Sequence, residues 1–86
     1  MALKIIGAED GVITKMEDAI RAALPDSQVS VTAGGAGHFA VTVVAEAFRG
    51  KSMVQQHQLV YGAIAPLMAG DAPPVHAIDR LSTKTP

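Results

Sequence analysis

The sequence has no cysteine and no tryptophan, and its only aromatic side chains are Phe39, Phe48 and Tyr61. Without thiols the chain has no disulfide, no thiolate nucleophile, no zinc ribbon and no self-sufficient iron-sulfur site. With so few aromatics, the 49% apolar content of its 86 residues is mostly Ala, Val, Ile, Leu and Met. Such a core holds a domain of this size only marginally, so homodimerisation or a partner is an expected supplement. Charge of one sign is missing too: seven Lys and Arg face eight Asp and Glu, for a formal charge of −1. Nothing global therefore draws the chain to nucleic acid or to an anionic membrane, and any such binding has to come from a local patch. No apolar run approaches the roughly 20 residues of a membrane span. Residues 1–7 are too short and too interrupted for a signal segment. The expectation is one soluble, cytoplasmic domain over residues 1–86, with no membrane association.

Hydrophobic periodicity gives the order of elements. Val12, Ile13, Met16, Ala19, Ile20, Ala23 and Leu24 recur at helical spacing after Asp10 or Gly11, and Pro25 stops the helix. Val29 and Val31 alternate with polar residues as in a half-buried strand, and residues 33–37, three of them Gly, read as a flexible connection. Residues 38–45 form a second strand with Phe39, Val41 and Val43 on one face and Ala40, Thr42 and Val44 on the other, the pattern of a central strand. Residues 46–50 are a turn, and Ser52 caps a second helix with Met53, His57, Val60, Ile64 and Leu67 on one stripe. A break is expected between Gly62 and Pro66. Residues 75–82 alternate as a last strand, with His76, Ile78 and Arg80 against Ala77, Asp79 and Leu81. A strand-helix-strand passage within one sheet runs parallel, so the last strand belongs beside the second, with both helices on one sheet face. The fold class is α+β: a two-layer sandwich with a three-stranded mixed sheet.

Few motifs survive inspection. Gly50-Lys51-Ser52 opens a helix as a phosphate-cradling loop does, but Ala45 stands where that loop needs its first glycine. Gly34-Gly35-Ala36-Gly37 fits the G-x-x-G clamp of KH modules, yet joins two strands where the clamp joins two helices. No Ser-His-acid or Cys-His set is present, and the carboxylate pairs Glu9-Asp10 and Glu17-Asp18 fall at a terminus and on an exposed helix face. An enzyme is not expected. Of the three histidines, His57 lies on the apolar stripe and reads as a core residue whose ring nitrogens bond to backbone or a neighbour. His38 and His76 each start a strand, and parallel pairing puts those starts at the same end of the sheet. Two imidazoles leave a metal short of ligands, so a metal held there draws on donors from elsewhere. Arg49, Lys51, Arg80 and Lys84 form at most a modest basic patch, enough for weak, salt-sensitive DNA binding.

Taken together, His38-Phe39, Phe48-Arg49-Gly50-Lys51-Ser52, His57 with Leu59-Val60-Tyr61, Val75-His76-Ala77-Ile78 and Thr85-Pro86 resemble the BolA family. The resemblance spans roughly the C-terminal two-thirds in motif and the whole chain in element order. The short loop before His38 and Val60-Tyr61-Gly62 look most like the branch that includes IbaG. The resemblance implies a single BolA-like domain with the class II KH-like αββαβ fold. It also implies a partnership with a monothiol glutaredoxin, bridging a [2Fe-2S] cluster in iron-sulfur assembly, trafficking or iron regulation. Some family members are stress-linked transcriptional regulators. Carried over by motif, His76 corresponds to the family's C-terminal cluster ligand, and His38, in the His-Phe position, is the candidate for the second. Many relatives carry a Cys or His within the preceding loop, where residues 34–37 here offer no ligand side chain.

Composition bears on this separately. A two-iron cluster needs four ligands, and one iron accepts two imidazoles when the other has two thiolates. A cysteine-free chain holds such a cluster only if a partner supplies sulfur, as a glutaredoxin with glutathione does, so the isolated chain is expected to bind none. The alternative is a DNA-binding regulator using the second helix with Arg49, Lys51, Arg80 and Lys84. Gln56-His57-Gln58 stands where the family usually has Arg-His-Arg, and that exchange weakens the alternative.

Overall fold

The computed structural model describes residues 8–86. The elements are α1 (Ala8–Ala23), β1 (Gln28–Gly35), β2 (His38–Val44), a 3-10 turn (Glu46–Phe48), α2 (Met53–Met68) and β3 (Ala77–Lys84). This is the helix-strand-strand-helix-strand order that the periodicity predicts. β2 is the central strand, antiparallel to β1 and parallel to β3. The reading of residues 1–7 as no signal segment lies outside the described residues.

One sheet face makes the core. Val29 and Val31 of β1 pair with Val43 and Val41 of β2, and across β2 Phe39, Val41 and Val43 pair with Ile78, Leu81 and Thr83 of β3. All of these are buried or half-buried, whereas Ser30, Thr32, Thr42 and Ser82 on the opposite face are exposed. Both helices cover the apolar face: Met16 and Ile20 from one, with Leu24 just beyond its end, and Val60 and Ile64 from the other join the same buried cluster. Two of the three aromatics, Phe39 and Phe48, lie fully inside it. Each such burial contributes roughly 1.5–3 kcal/mol. Pro25 ends the first helix as expected, and Asp26 takes a left-handed φ of 66° to turn the chain toward β1.

Several boundaries differ from expectation, each for a local reason. Among the described residues the first helix already includes Ala8, two residues before Asp10. β1 continues through Gly35, so residues 33–35 belong to the strand and the connection shrinks to Ala36-Gly37; Gly34 is the unpaired extra residue of a bulge between Ala33 and Gly35. β2 ends at Val44, and Ala45 is buried just beyond it. β3 begins at Ala77 and runs to Lys84; Val75 is instead a buried plug whose amide donates to the Leu67 carbonyl at 3.1 Å. A second register shift leaves Asp79 as an extra residue in β3. That bulge breaks strict alternation, and Leu81 and Thr83, in place of Arg80, join Ile78 on the core side.

The second helix does not break at Pro66. It runs unbroken to Met68 with Pro66 inside its last turn. The ring removes one bond, to the carbonyl of Gly62, and Gly62 is exposed, so water can take that carbonyl. Met53, in the first turn, is 57% exposed, with its sulfur 3.4 Å from the hydroxyl of the buried Thr83. The start of this helix is secured by a capping box: Ser52 Oγ accepts from the Gln55 amide at 3.2 Å, and Gln55 Oε1 accepts from the Ser52 amide at 3.0 Å. Ser52→Ala should therefore lower stability in urea denaturation by about 1 kcal/mol. An unchanged midpoint would mean that the cap contributes nothing.

Candidate functional site

The hairpin turn organises one end of the sheet. Gly37 takes a φ of +76°, which an L side chain rarely adopts, and its carbonyl accepts from two amides, His76 at 2.8 Å and Ala77 at 3.1 Å. These bonds clip the segment before β3 to the turn before β2. The imidazole of His76 lies over the bare α-carbon of Gly37: a Cβ there would come within 2.7 Å of His76 Cγ and 2.8 Å of Nδ1. Gly37 is thus needed twice, for the turn and as the seat of an exposed ring.

His38 is the next residue along, and it is in register with Ala77 of β3. The structure therefore brings the starts of β2 and β3 together, as the parallel pairing requires. Its Nδ1 lies 3.0 Å from Asp79 Oδ1, with both side chains about half exposed, at 48% and 55%. Asp79 was not among the residues the sequence singles out. The signal was there: Asp79-Arg80 puts two polar residues in succession between Ile78 and Leu81, which marks a bulge. Gly37 was equally hidden, read as one of several flexible glycines.

His57 is half-buried on the second helix, but its Nε2 is enclosed without a hydrogen-bond partner, where both ring nitrogens were expected to be bonded. Gln56, the neighbour that stands in place of a basic residue, has an internal role. Its Nε2 donates to the Lys51 carbonyl at 3.0 Å, and its Oε1 accepts from the hydroxyl of the buried Thr83 at 2.8 Å. It ties helix to strand instead of facing a phosphate.

Of the four cations, Lys51 comes up to the Lys84 end, since Gln56 bonds both the Lys51 carbonyl and the Thr83 hydroxyl, whereas Arg80 stands farther along β3. Arg49 makes a two-pronged ion pair with Glu46, one arm at 2.9 Å. That hydrogen bond holds the Glu46 carboxyl below its usual value and the guanidinium above its own. Lys84 lies at the far end of β2, where its carbonyl accepts from the Ala45 amide. Arg80, paired with Ala40, is four strand residues away from Lys84, about 13 Å. The histidine end and the Lys84 end are separated by the length of β2, about 20 Å.

Chemically, the histidine end offers two partly exposed imidazoles and one carboxylate, and no thiol. Among the described residues no group of three or more His, Cys, Asp or Glu side chains converges on a metal position. Two imidazoles suit one iron of a two-iron cluster whose other iron has thiolates, so this donor set fits a [2Fe-2S] cluster when sulfur comes from a second molecule. No helix among the described residues is long and apolar enough to cross a membrane.

Comparison with known proteins gives a consistent result. The family profile described as BolA-like protein matches residues 18–86. BolA-like protein 1 of Mus musculus is 44% identical over 57 residues, covering 66% of this chain and 39% of that protein. BolA-like protein 1 of Bos taurus is 34% identical over 88 residues, covering 95% and 62%. This chain therefore spans between about two-fifths and three-fifths of the length of those relatives. Among solved structures, the BolA domain of SufE1 from Arabidopsis thaliana superposes with a TM-score of 0.71 at 26% identity, covering 95% of this chain and 96% of that one.

Proposed function

The chain belongs to the BolA-like family, and from that premise we propose that it is an adaptor that docks a monothiol glutaredoxin and co-ligates a bridging [2Fe-2S] cluster. In this reading His76 is the principal ligand and His38 the second. The cluster is the cargo of the complex, in iron-sulfur assembly and trafficking or in iron regulation. The observation that carries the proposal is the seating of His76. Its backbone is clipped to the Gly37 carbonyl and its ring rests over an α-carbon with no side chain, so the imidazole is held at the surface at little further entropic cost.

What the chain lacks defines what the partner supplies. With no cysteine, the thiolates come from the glutaredoxin cysteine and its bound glutathione, and the chain contributes nitrogen donors alone. A neutral imidazole is a weaker donor than a thiolate and is easily protonated, which suits a ligand that must let a cargo go.

Anaerobic size-exclusion chromatography tests this directly. The chain, a monothiol glutaredoxin, glutathione, ferrous iron and sulfide should yield a coloured one-to-one heterodimer. Colour confined to a glutaredoxin homodimer, with this chain eluting alone, would overturn the proposal.

A further inference from the structure

We infer that Asp79 is a positioning residue that fixes the tautomer of His38, holding the proton on Nδ1 and leaving Nε2 as a bare nitrogen directed away from the carboxylate. The assignment of Nε2 as a cluster ligand rests on the proposed function; the tautomer itself does not.

The argument begins with the backbone. Two bulges flank the start of β2, one at Gly34 in β1 and one at Asp79 in β3. A bulge re-aims the side chain of its extra residue and commonly does so beside a functional group. Asp79 is re-aimed across the open face of the sheet, over β2. Its Oδ1 meets His38 Nδ1 at 3.0 Å, while its Oδ2 lies 3.7 Å from where a Cβ on Gly34 would stand. The carboxylate thus spans the sheet from the third strand to the first, with His38 beneath it.

The chemistry then decides which nitrogen carries the proton. An ionised carboxylate accepts hydrogen bonds and cannot donate one, so a neutral imidazole bonded to it through Nδ1 must carry its hydrogen there. The other nitrogen, Nε2, then has a free lone pair. This is the arrangement by which a carboxylate orients and strengthens a histidine ligand. As an exposed pair the contact adds little to stability. Its consequence is orientation and a choice between two nitrogens.

The test needs no cluster. Long-range proton-nitrogen correlation spectra of the full chain, recorded about two pH units above the usual imidazole pKa, report the tautomer of each ring. His38 should carry its proton on Nδ1, and Asp79→Ala should move it to Nε2 while the His76 pattern and the amide fingerprint stay unchanged. A His38 ring already protonated on Nε2 in the natural chain, or one unaffected by Asp79→Ala, would overturn the inference. The ligand half is read in the reconstituted heterodimer, where Asp79→Ala should weaken cluster retention about 10-fold or more, the usual effect of losing a ligand's supporting carboxylate. A natural chain that forms no mixed cluster contradicts the proposed function and leaves the tautomer result standing. A mixed cluster held equally well by Asp79→Ala removes Asp79 from the site.

Discussion

His76→Ala should abolish the visible circular dichroism of the mixed cluster formed with a monothiol glutaredoxin, while changing the stability of the chain by no more than about 0.5 kcal/mol, the usual range for an exposed site. The two halves have separate causes. The imidazole is exposed and rests on Gly37, with no packing in the core, so its removal costs the fold little. The backbone bonds from His76 and Ala77 to the Gly37 carbonyl involve no side chain and survive the substitution. What disappears is the nitrogen donor. An unaltered spectrum would remove His76 from the cluster. Loss of the spectrum together with global unfolding would show that the ring supports the fold, against its exposed placement.

Gly37→Ala should reproduce the loss of the spectrum by a different route. At a φ of +76° a methyl group strains the backbone, at a cost of about 1–2 kcal/mol. That methyl would also stand 2.7 Å from His76 Cγ, so the ring has to leave its seat. Gly50→Ala provides the control. Gly50 has nearly the same φ, +77°, but nothing lies within 4 Å of its Cβ position. It should lose the strain energy alone and keep the mixed cluster. If Gly37→Ala holds the cluster as well as Gly50→Ala does, the seat is irrelevant to ligation.

The fold was largely legible because its main signals are local. Alternation of Phe39, Val41 and Val43 marked the core face of β2, its apolar second face marked a central strand, and Pro25 marked the end of the first helix. From that order the parallel pairing of β2 with β3 followed, and with it the meeting of His38 and His76 at one sheet end. What stayed hidden depends on register between strands. The bulges at Gly34 and Asp79 are mismatches between neighbours, and only the second leaves a local trace, the polar pair Asp79-Arg80 between Ile78 and Leu81. For that reason residues 33–35 read as loop, Arg80 was placed on the wrong side of the strand's alternation, and Asp79 went unnoticed as the partner of His38. Pro66 misled in the opposite direction. A proline in a last turn removes a single bond, and an exposed Gly62 makes that loss tolerable.

The cations illustrate the same limit. Arg49, Lys51, Arg80 and Lys84 are read together along the chain, yet the fold pairs Arg49 with Glu46 and sets Arg80 about 13 Å from Lys84 along β3. Gln56, which in sequence only replaces a basic residue, binds Thr83 and the Lys51 carbonyl from within.

The most direct measurement is anaerobic cluster reconstitution of this chain with a monothiol glutaredoxin and glutathione, followed by visible absorption and circular dichroism against each protein alone. The account predicts a new spectrum from the mixture, distinct from that of the glutaredoxin homodimer and absent with His76→Ala. A mixture whose spectrum is no more than the glutaredoxin homodimer's own would contradict it.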